Sequence, residues 1–145
     1  MPDWEVRFER AFDKELKELD VEVRLELLAH AEVLEHRGPS LGRPVADTLR
    51  GSAYANMKEL RFNAANGVWR VAFAFDSDSR AVLLVAADKC GLWGKEEVAF
   101  YRRLIDVADF RFKAYLDRVE AAKKSAAKRG KPQAPRKGRR NDNEN

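Results

Sequence analysis

The sequence is poor in the residues that form disulfides and metal centres. Its 145 residues include one cysteine, Cys90, and two histidines. A single cysteine excludes an internal disulfide and is typical of a reducing compartment. Two histidines and one cysteine are also too few for an ordinary structural zinc site, which takes four such ligands. We therefore expect a chain without disulfides, metal or other cofactor.

Long apolar runs are absent as well. No run approaches the roughly 20 residues that a membrane-spanning helix needs. The first ten residues, MPDWEVRFER, lack the basic and then apolar pattern of a secretory signal. We expect a cytoplasmic protein without a membrane partner, built as one domain with a tail.

Positive charge is concentrated at one end of the chain. Residues 121–145 contain nine basic and two acidic side chains, a net charge of +7, whereas the whole chain carries +4. Residues 1–120 therefore carry −3. The basic tail could bind nucleic acid nonspecifically or only aid solubility. Its Ala, Lys, Arg, Gly, Pro and Asn composition predicts disorder.

The N-terminal third predicts a strand and two helices. Trp4–Phe8 alternates apolar and charged residues, as a half-exposed strand does. A helical stripe follows, formed by Phe12, Leu16 and Leu19. Asp20 is a suitable N-cap for a second helix over residues 21–36, and Gly38-Pro39 ends it. The predicted buried side of this helix consists of Val23, Leu27, Leu28, Ala31 and Leu34.

The middle of the chain predicts a three-stranded antiparallel meander. Its strands are Met57–Phe62, Val68–Phe75 and Ala81–Ala87. Asn66-Gly67 lies between the first two strands, and both residue types tolerate the positive φ of a tight hairpin turn. The polar loop Asp76–Ser79 separates the second and third strands.

Together these elements predict an α+β fold. An N-terminal strand and a two-helix hairpin precede the meander, which completes one sheet, and a C-terminal helix runs from Lys95 to about Val119. Residues 38–56 are interpreted as an ordered loop. The predicted domain is residues 1–119, and residues 120–145 form the tail.

A cationic site is predicted on the meander. Trp69, Val71, Phe73 and Phe75 share one face of the middle strand, and Arg70 shares the other face with alanines. An arginine among small neighbours suits a shallow phosphate-binding cleft. Arg61 joins Arg70 only if paired residues of the hairpin have an odd index sum, for example Phe62 opposite Trp69.

Structural interpretations of the same residues remain open. Arg61 and Arg70 could instead form ion pairs with Glu59 and Asp88. Five further residues are candidates for the site: Tyr54, Asn56, Trp93, Lys95 and Tyr101. Tyr54 and Asn56 are also typical turn formers or loop anchors, Trp93 a loop anchor, and Tyr101 a core residue. The aromatic and polar side chains among them could stack on or hydrogen-bond a nucleobase.

The order and spacing of several short motifs resemble the RelE/ParE toxin superfamily, and within it the HigB-like branch of phage Gp49-like proteins. The resemblance covers about residues 4–118. It is carried by the motifs WEVRF at 4–8, GPSLGRP at 38–44, LRGS at 49–52, NMKELRF at 56–62, VWRVAFAF at 68–75, ADK at 87–89 and FYRRLI at 100–105.

This resemblance implies the toxin of a type II toxin–antitoxin system, a metal-independent mRNA endonuclease that acts on the ribosome. The ribose 2′-hydroxyl attacks the adjacent phosphate and leaves a 2′,3′-cyclic phosphate. Arg61 and Arg70 would hold that phosphate, Lys89 would add charge, and Tyr101 would transfer a proton. Lys58 is a weaker member of this set. The implied partner is an antitoxin of the helix-turn-helix type.

Two departures from the family pattern keep other functions open. Some relatives place a histidine or tyrosine near the C-terminus for proton transfer, whereas His30 and His36 lie on the second predicted helix and Tyr101 is the nearest available donor. The body of the chain is also acidic, which is unusual for a protein that approaches ribosomal RNA. The alternatives are a ParE-like gyrase poison and an inactive toxin-fold module that acts with its antitoxin.

Overall fold

The computed structural model describes residues 4–130. One strand and two helices occupy the N-terminal part, followed by four more strands and one long helix. In chain order the elements are β1 (Glu5–Phe8), α1 (Arg10–Leu16), α2 (Val21–Arg37), β2 (Ala46–Thr48), β3 (Met57–Ala64), β4 (Gly67–Phe75), β5 (Arg80–Asp88) and α3 (Lys95–Gly130). A 3-10 turn, Gly38–Ser40, follows α2.

One five-stranded sheet organises the fold, with the strand order β1-β5-β4-β3-β2. β1 runs parallel to β5, and the other neighbours are antiparallel. The predicted α+β class and meander are therefore confirmed. The short edge strand β2 was missed, because its three residues lie in a Gly- and Pro-rich segment that was interpreted as a loop.

The larger core lies between α1, α2 and one face of the sheet. The predicted stripe of β4 enters this core, with Val71 and Phe73 fully buried. Asp20 caps α2 as predicted, because its Oδ1 accepts a hydrogen bond from the amide of Glu22 at 2.8 Å. Leu28 was predicted to be buried but is 42% exposed, since it lies on the outer side of α2.

The β3–β4 hairpin turns one residue earlier than predicted. Ala65 and Asn66 are the two residues with positive φ, and Ala64 pairs with Gly67. Gly67 is therefore a strand residue. A Cβ atom at Gly67 would lie 2.6 Å from Nε1 of Trp69, so the close approach of this side chain, rather than a positive φ, requires glycine.

The register of this hairpin is the odd one that a shared arginine site requires. Phe62 is opposite Trp69, and Arg61 is directly opposite Arg70. The two arginines therefore project from the same face of the sheet, opposite to the core of α1 and α2.

A β-bulge in β5 provides an attachment point for α3. The pairing of β4 with β5 shifts between Ala72 and Phe73, so Leu84 is left out of the register. Nη1 of Arg111 donates to the Leu84 carbonyl at 2.9 Å. The same guanidinium binds both carboxylate oxygens of Glu15, at 2.8 and 2.6 Å. Arg111 thus connects α3, β5 and the segment of α1.

The described residues divide into two compact units, with the division between Lys113 and Ala114. The described part of the second unit is the continuation of α3 to Gly130, so the predicted domain boundary at residues 119 and 120 lies within a helix. The predicted disorder of residues 131–145 lies outside the described residues. Within residues 4–130, no helix is both long and apolar enough to cross a membrane.

We expect Arg111→Ala to lower the free energy of unfolding by about 1–3 kcal/mol, because the Leu84 carbonyl would lose its charged donor. Thermal or urea unfolding of the full chain measures the change. Arg103→Ala is the matched control, since Arg103 is exposed on the same helix and has no hydrogen bond or ion pair among the described residues. Equal stability of the two variants would contradict the proposed role of Arg111.

Candidate active site

A carboxylate lies between the two predicted phosphate-binding arginines. Glu59 and Arg61 project from β3, and Arg70 projects from the position on β4 that is directly opposite Arg61. Oε2 of Glu59 is 3.5 Å from Nε of Arg61, and Oε1 is 3.8 Å from Nε of Arg70. Glu59 is therefore shared by both arginines, as the ion-pair interpretation predicted for Glu59. Asp88 instead accepts hydrogen bonds from the amides of Val68 and Cys90.

These ion pairs leave polar atoms unsatisfied. Oε1 of Glu59 and Nε of Arg61 are buried and have no hydrogen-bond partner among the described residues. Buried polar atoms in native proteins are nearly always hydrogen-bonded, so such atoms mark either strain or a site for an external group. Burial raises the pKa of Glu59, and Tyr101, Arg61 and Arg70 oppose this effect.

Tyr101 of α3 completes this group from above the sheet. Its hydroxyl accepts a hydrogen bond from Nε of Arg70 at 3.1 Å. Nη1 of Arg70 donates to the carbonyl of Trp69 at 2.9 Å, which fixes the plane of the guanidinium. Burial raises the pKa of Tyr101, so the phenol keeps its proton at neutral pH. Tyr101 is thus part of the site rather than only part of the core.

Lys89 forms an ion pair with a second carboxylate of the site, that of Glu97. Its Nζ is 2.8 Å from Oε2 of Glu97 on α3. The Lys89 ammonium lowers the pKa of Glu97, with smaller contributions from Arg70 and Arg61. We call the whole group the Glu59 cluster: Glu59, Arg61, Arg70, Lys89, Glu97 and Tyr101.

Three candidate RNA-binding residues lie apart from the Glu59 cluster. Lys58 projects from the opposite face of β3, since side chains alternate along a strand, and its Nζ is 3.5 Å from the Pro39 carbonyl. Lys58 therefore does not join Arg61 and Arg70 on their face, and its binding of RNA stays a prediction. Tyr54 packs edge-on against Phe112, with ring centroids 4.9 Å apart. Nδ2 of Asn56 donates a hydrogen bond to the carbonyl of Phe75, the last residue of β4. Both residues anchor the loop that precedes β3.

Trp93 and Lys95 are accessible. Trp93 is 78% exposed in the loop between β5 and α3, which contradicts its interpretation as a buried loop anchor. Its stacking on a nucleobase stays a prediction. His30 lies on α2 with its ring against Phe62, on the sheet face opposite Arg61 and Arg70.

From the sequence, Glu59 is predicted only as an ion-pair partner of Arg61 and Arg70, and Glu97 is not predicted at all. The signal for Glu59 was present, because residues 59 and 61 of one strand must share a face. Glu97 gave no such signal. Its place beside Lys89 depends on the turn between β5 and α3, which alternation along the strands does not determine.

We expect the pKa values of the two carboxylates in the Glu59 cluster to differ from that of an ordinary glutamate in opposite directions. The pKa of Glu59 is raised by burial, and that of Glu97 is lowered by Lys89. Carboxyl-selective NMR titration measures both midpoints. Lys89→Met should raise the Glu97 midpoint much more than the Glu59 midpoint, and equal movement of both would contradict the assigned contacts.

Comparisons with known proteins give the relationships of the chain. Among curated proteins of Mycobacterium tuberculosis, the candidate toxin HigB2 is 40% identical over 117 residues, which cover 80% of this chain and 56% of that protein. The candidate toxin HigB3 is 42% identical over 85 residues, covering 59% of this chain and 69% of that protein. The chain thus spans about half to two thirds of these relatives.

The fold also matches a solved toxin structure. A mutant of the Escherichia coli toxin RelE in the free state superposes with a TM-score of 0.50 and 15% sequence identity, over 72% of this chain and 95% of RelE. This likeness concerns the fold alone. A sequence model of the family "Phage derived protein Gp49-like" matches residues 14–113, more than half of the chain. The chain therefore belongs to the Gp49-like family and has a RelE-like fold.

Proposed function

We propose that this protein is the toxin of a type II toxin–antitoxin system and an endoribonuclease that cleaves mRNA. The observation that carries the proposal is the buried carboxylate of Glu59 between Arg61 and Arg70, with the Tyr101 hydroxyl against Arg70. This arrangement offers a proton acceptor, two cations and a proton donor within one small site. The family relationship and the names of its relatives support the toxin part of this proposal.

Glu59 has the properties of a general base. Cleavage begins when the ribose 2′-hydroxyl loses a proton and its oxygen attacks the adjacent phosphorus. A base for this step works best with a pKa raised towards neutrality, and burial shifts the Glu59 pKa in that direction. Oε1 of Glu59 is buried beside Arg70 and has no hydrogen bond among the described residues, so it keeps an unused lone pair for the proton.

Arg61 and Arg70 supply the positive charge for the transition state. Negative charge accumulates on the phosphate oxygens as the new P–O bond forms, and guanidinium groups bind such oxygens with short, charge-assisted hydrogen bonds. The two residues are directly paired across β3 and β4, which places both groups on one rigid surface. The Nε of Arg61 is in an ion pair with Glu59 at 3.5 Å but has no hydrogen bond among the described residues, so Arg61 keeps unused donor capacity for a phosphate.

Tyr101 and Lys89 are the candidates for the leaving-group side. The P–O5′ bond breaks and the departing 5′ oxygen takes a proton, which yields a 2′,3′-cyclic phosphate and a free 5′-hydroxyl. Because Arg70 donates to the Tyr101 oxygen, the hydroxyl keeps its own proton, which interacts with Glu59 in the free site and would be donated to the departing oxygen once the substrate is bound. The Lys89 ammonium, held by Glu97, adds a further positive charge.

The implied partners follow from this role. A toxin that cleaves mRNA must be inhibited by a cognate antitoxin, and we propose one of the helix-turn-helix type. We further propose that the substrate is mRNA on the ribosome. Since the first 120 residues carry a net charge of −3, attraction to RNA must come from local groups such as the Glu59 cluster and from the basic C-terminal segment.

Two substitutions separate the base from the phosphate-binding groups. We expect Glu59→Gln to lower the cleavage rate by about 100-fold or more, the usual range for loss of a general base. The same variant should bind a non-cleavable 2′-O-methyl RNA at least as tightly as wild type, because it removes a negative charge between two arginines. We expect Arg70→Ala to lose both cleavage and binding.

Cleavage kinetics and fluorescence anisotropy on purified variants measure the two effects. Arg103→Ala serves as the control for loss of a surface charge. Full cleavage activity in Glu59→Gln would exclude Glu59 as the base. Circular dichroism and thermal unfolding establish that each variant is folded.

The cleavage rate should fall as the pH decreases through the pKa of Glu59, because the base acts only when deprotonated. That pKa is raised above the ordinary value of 4.5, so the acid limb of kcat/KM should lie above 4.5. The Tyr101 hydroxyl lowers the Glu59 pKa, so Tyr101→Phe should move this limb to higher pH as well as slow the reaction. An acid limb that does not move in Tyr101→Phe would contradict this coupling.

A further inference from the structure

A groove adjoins the Glu59 cluster between α3 and the turn at Arg50 and Gly51. It has a volume of about 490 Å³, within the range of about 300–1,000 Å³ that is typical of ligand sites. One wall is the turn at Arg50 and Gly51, and the other is the side of α3 that carries Tyr101 and Ile105. Tyr101 and Glu97 belong both to this groove and to the cluster, so the two sites are continuous.

The groove contains two arginines without an internal partner. Each cation of the Glu59 cluster is paired with a carboxylate, either Glu59 or Glu97. In contrast, Arg50 and Arg102 are exposed, and their side chains have no ion pair or hydrogen bond with any residue from 4 to 130. Their guanidinium groups are therefore fully available to an external anion.

The same groove offers apolar contact surface. Val98 lines the groove and is 59% exposed, and the half-buried Tyr101 ring lies on the same side of the helix, whereas Ile105 is only 8% exposed. Gly51 has a φ of +98°, and a Cβ atom there would lie 3.8 Å from Cδ1 of Ile105. The turn therefore lies within van der Waals distance of α3 at this wall of the groove.

Apolar and aromatic walls beside unpaired arginines are the features that bind single-stranded nucleic acid. We propose that this groove binds the nucleotide adjoining the scissile phosphate of a single-stranded RNA. Arg50 and Arg102 contact its phosphates, and Val98 and the Tyr101 ring pack against its sugar and base. This inference rests on the proposed function, because it extends the same RNA strand beyond the Glu59 cluster.

Two acidic residues of the groove set the sign of its charge. Glu97 is neutralised by Lys89 at 2.8 Å. Asp106 also lines the groove and opposes the binding of a phosphate. With Arg50 and Arg102 counted against Asp106, the groove keeps an excess of one positive charge. An RNA strand should therefore bind more tightly when Asp106 is replaced by a neutral residue.

The test is the affinity of the full-length protein for a labelled single-stranded 2′-O-methyl RNA, whose blocked 2′ oxygen prevents cleavage. Fluorescence anisotropy gives the affinity over a series of salt concentrations. We expect Arg50→Ala and Arg102→Ala each to weaken binding about fivefold and to reduce the salt slope by about 0.7, the value for one lost phosphate contact on a single strand. Asp106→Asn should tighten binding about twofold.

Arg103→Ala is the matched control, because Arg103 is the neighbouring exposed arginine of α3 and does not line the groove. Its binding should change less than twofold. Equal losses in Arg102→Ala and Arg103→Ala, weaker binding by Asp106→Asn, or no binding by the wild-type chain would each overturn the groove assignment. Groove-dependent binding by a wild-type protein that never cleaves RNA would overturn the proposed function alone.

Discussion

The ion-pair arrangement of Glu59 with Arg61 and Arg70 is the interaction on which this site depends. A buried carboxylate is costly unless cations compensate it, and two buried or half-buried guanidinium groups on one sheet face would repel each other without an anion between them. Both requirements are met by the same three residues. The incomplete hydrogen bonding of Glu59 and Arg61 leaves donors and acceptors for a phosphodiester, so the free site is poised for a substrate that is itself anionic.

The rest of the fold holds this arrangement in place. The β3–β4 register puts the arginines side by side, and Gly67 keeps the hairpin tight where Trp69 and Asp88 approach it. The first part of α3 then places Tyr101 over Arg70. Arg111, one of the links between α3 and the sheet, hydrogen-bonds a carbonyl that a β-bulge exposes. A local irregularity of β5 therefore contributes to the position of a proposed proton donor on another element.

Much of the fold could be predicted from alternation and turn chemistry, whereas the site could be predicted only in part. The arginine pair could be predicted from strand periodicity. The error in the turn position did not affect this prediction. Moving the two-residue turn from Asn66-Gly67 to Ala65-Asn66 changes the index sum of paired residues by two, so both arginines stay on the same face. The contact between Lys89 and Glu97 depends on a turn whose path no periodic pattern encodes, and the groove of Arg50 and Arg102 depends on how a loop packs against a helix.

The central claim is that this site cleaves RNA by attack of the 2′-hydroxyl, and mapping of mRNA ends after induction of the protein in a bacterial host tests it most directly. The account predicts growth arrest together with new 5′-hydroxyl ends within coding sequences, both absent when Arg70→Ala is induced to the same level. Arrest without new RNA ends would contradict the account and favour a gyrase poison. The absence of arrest would favour an inactive module that acts through its antitoxin.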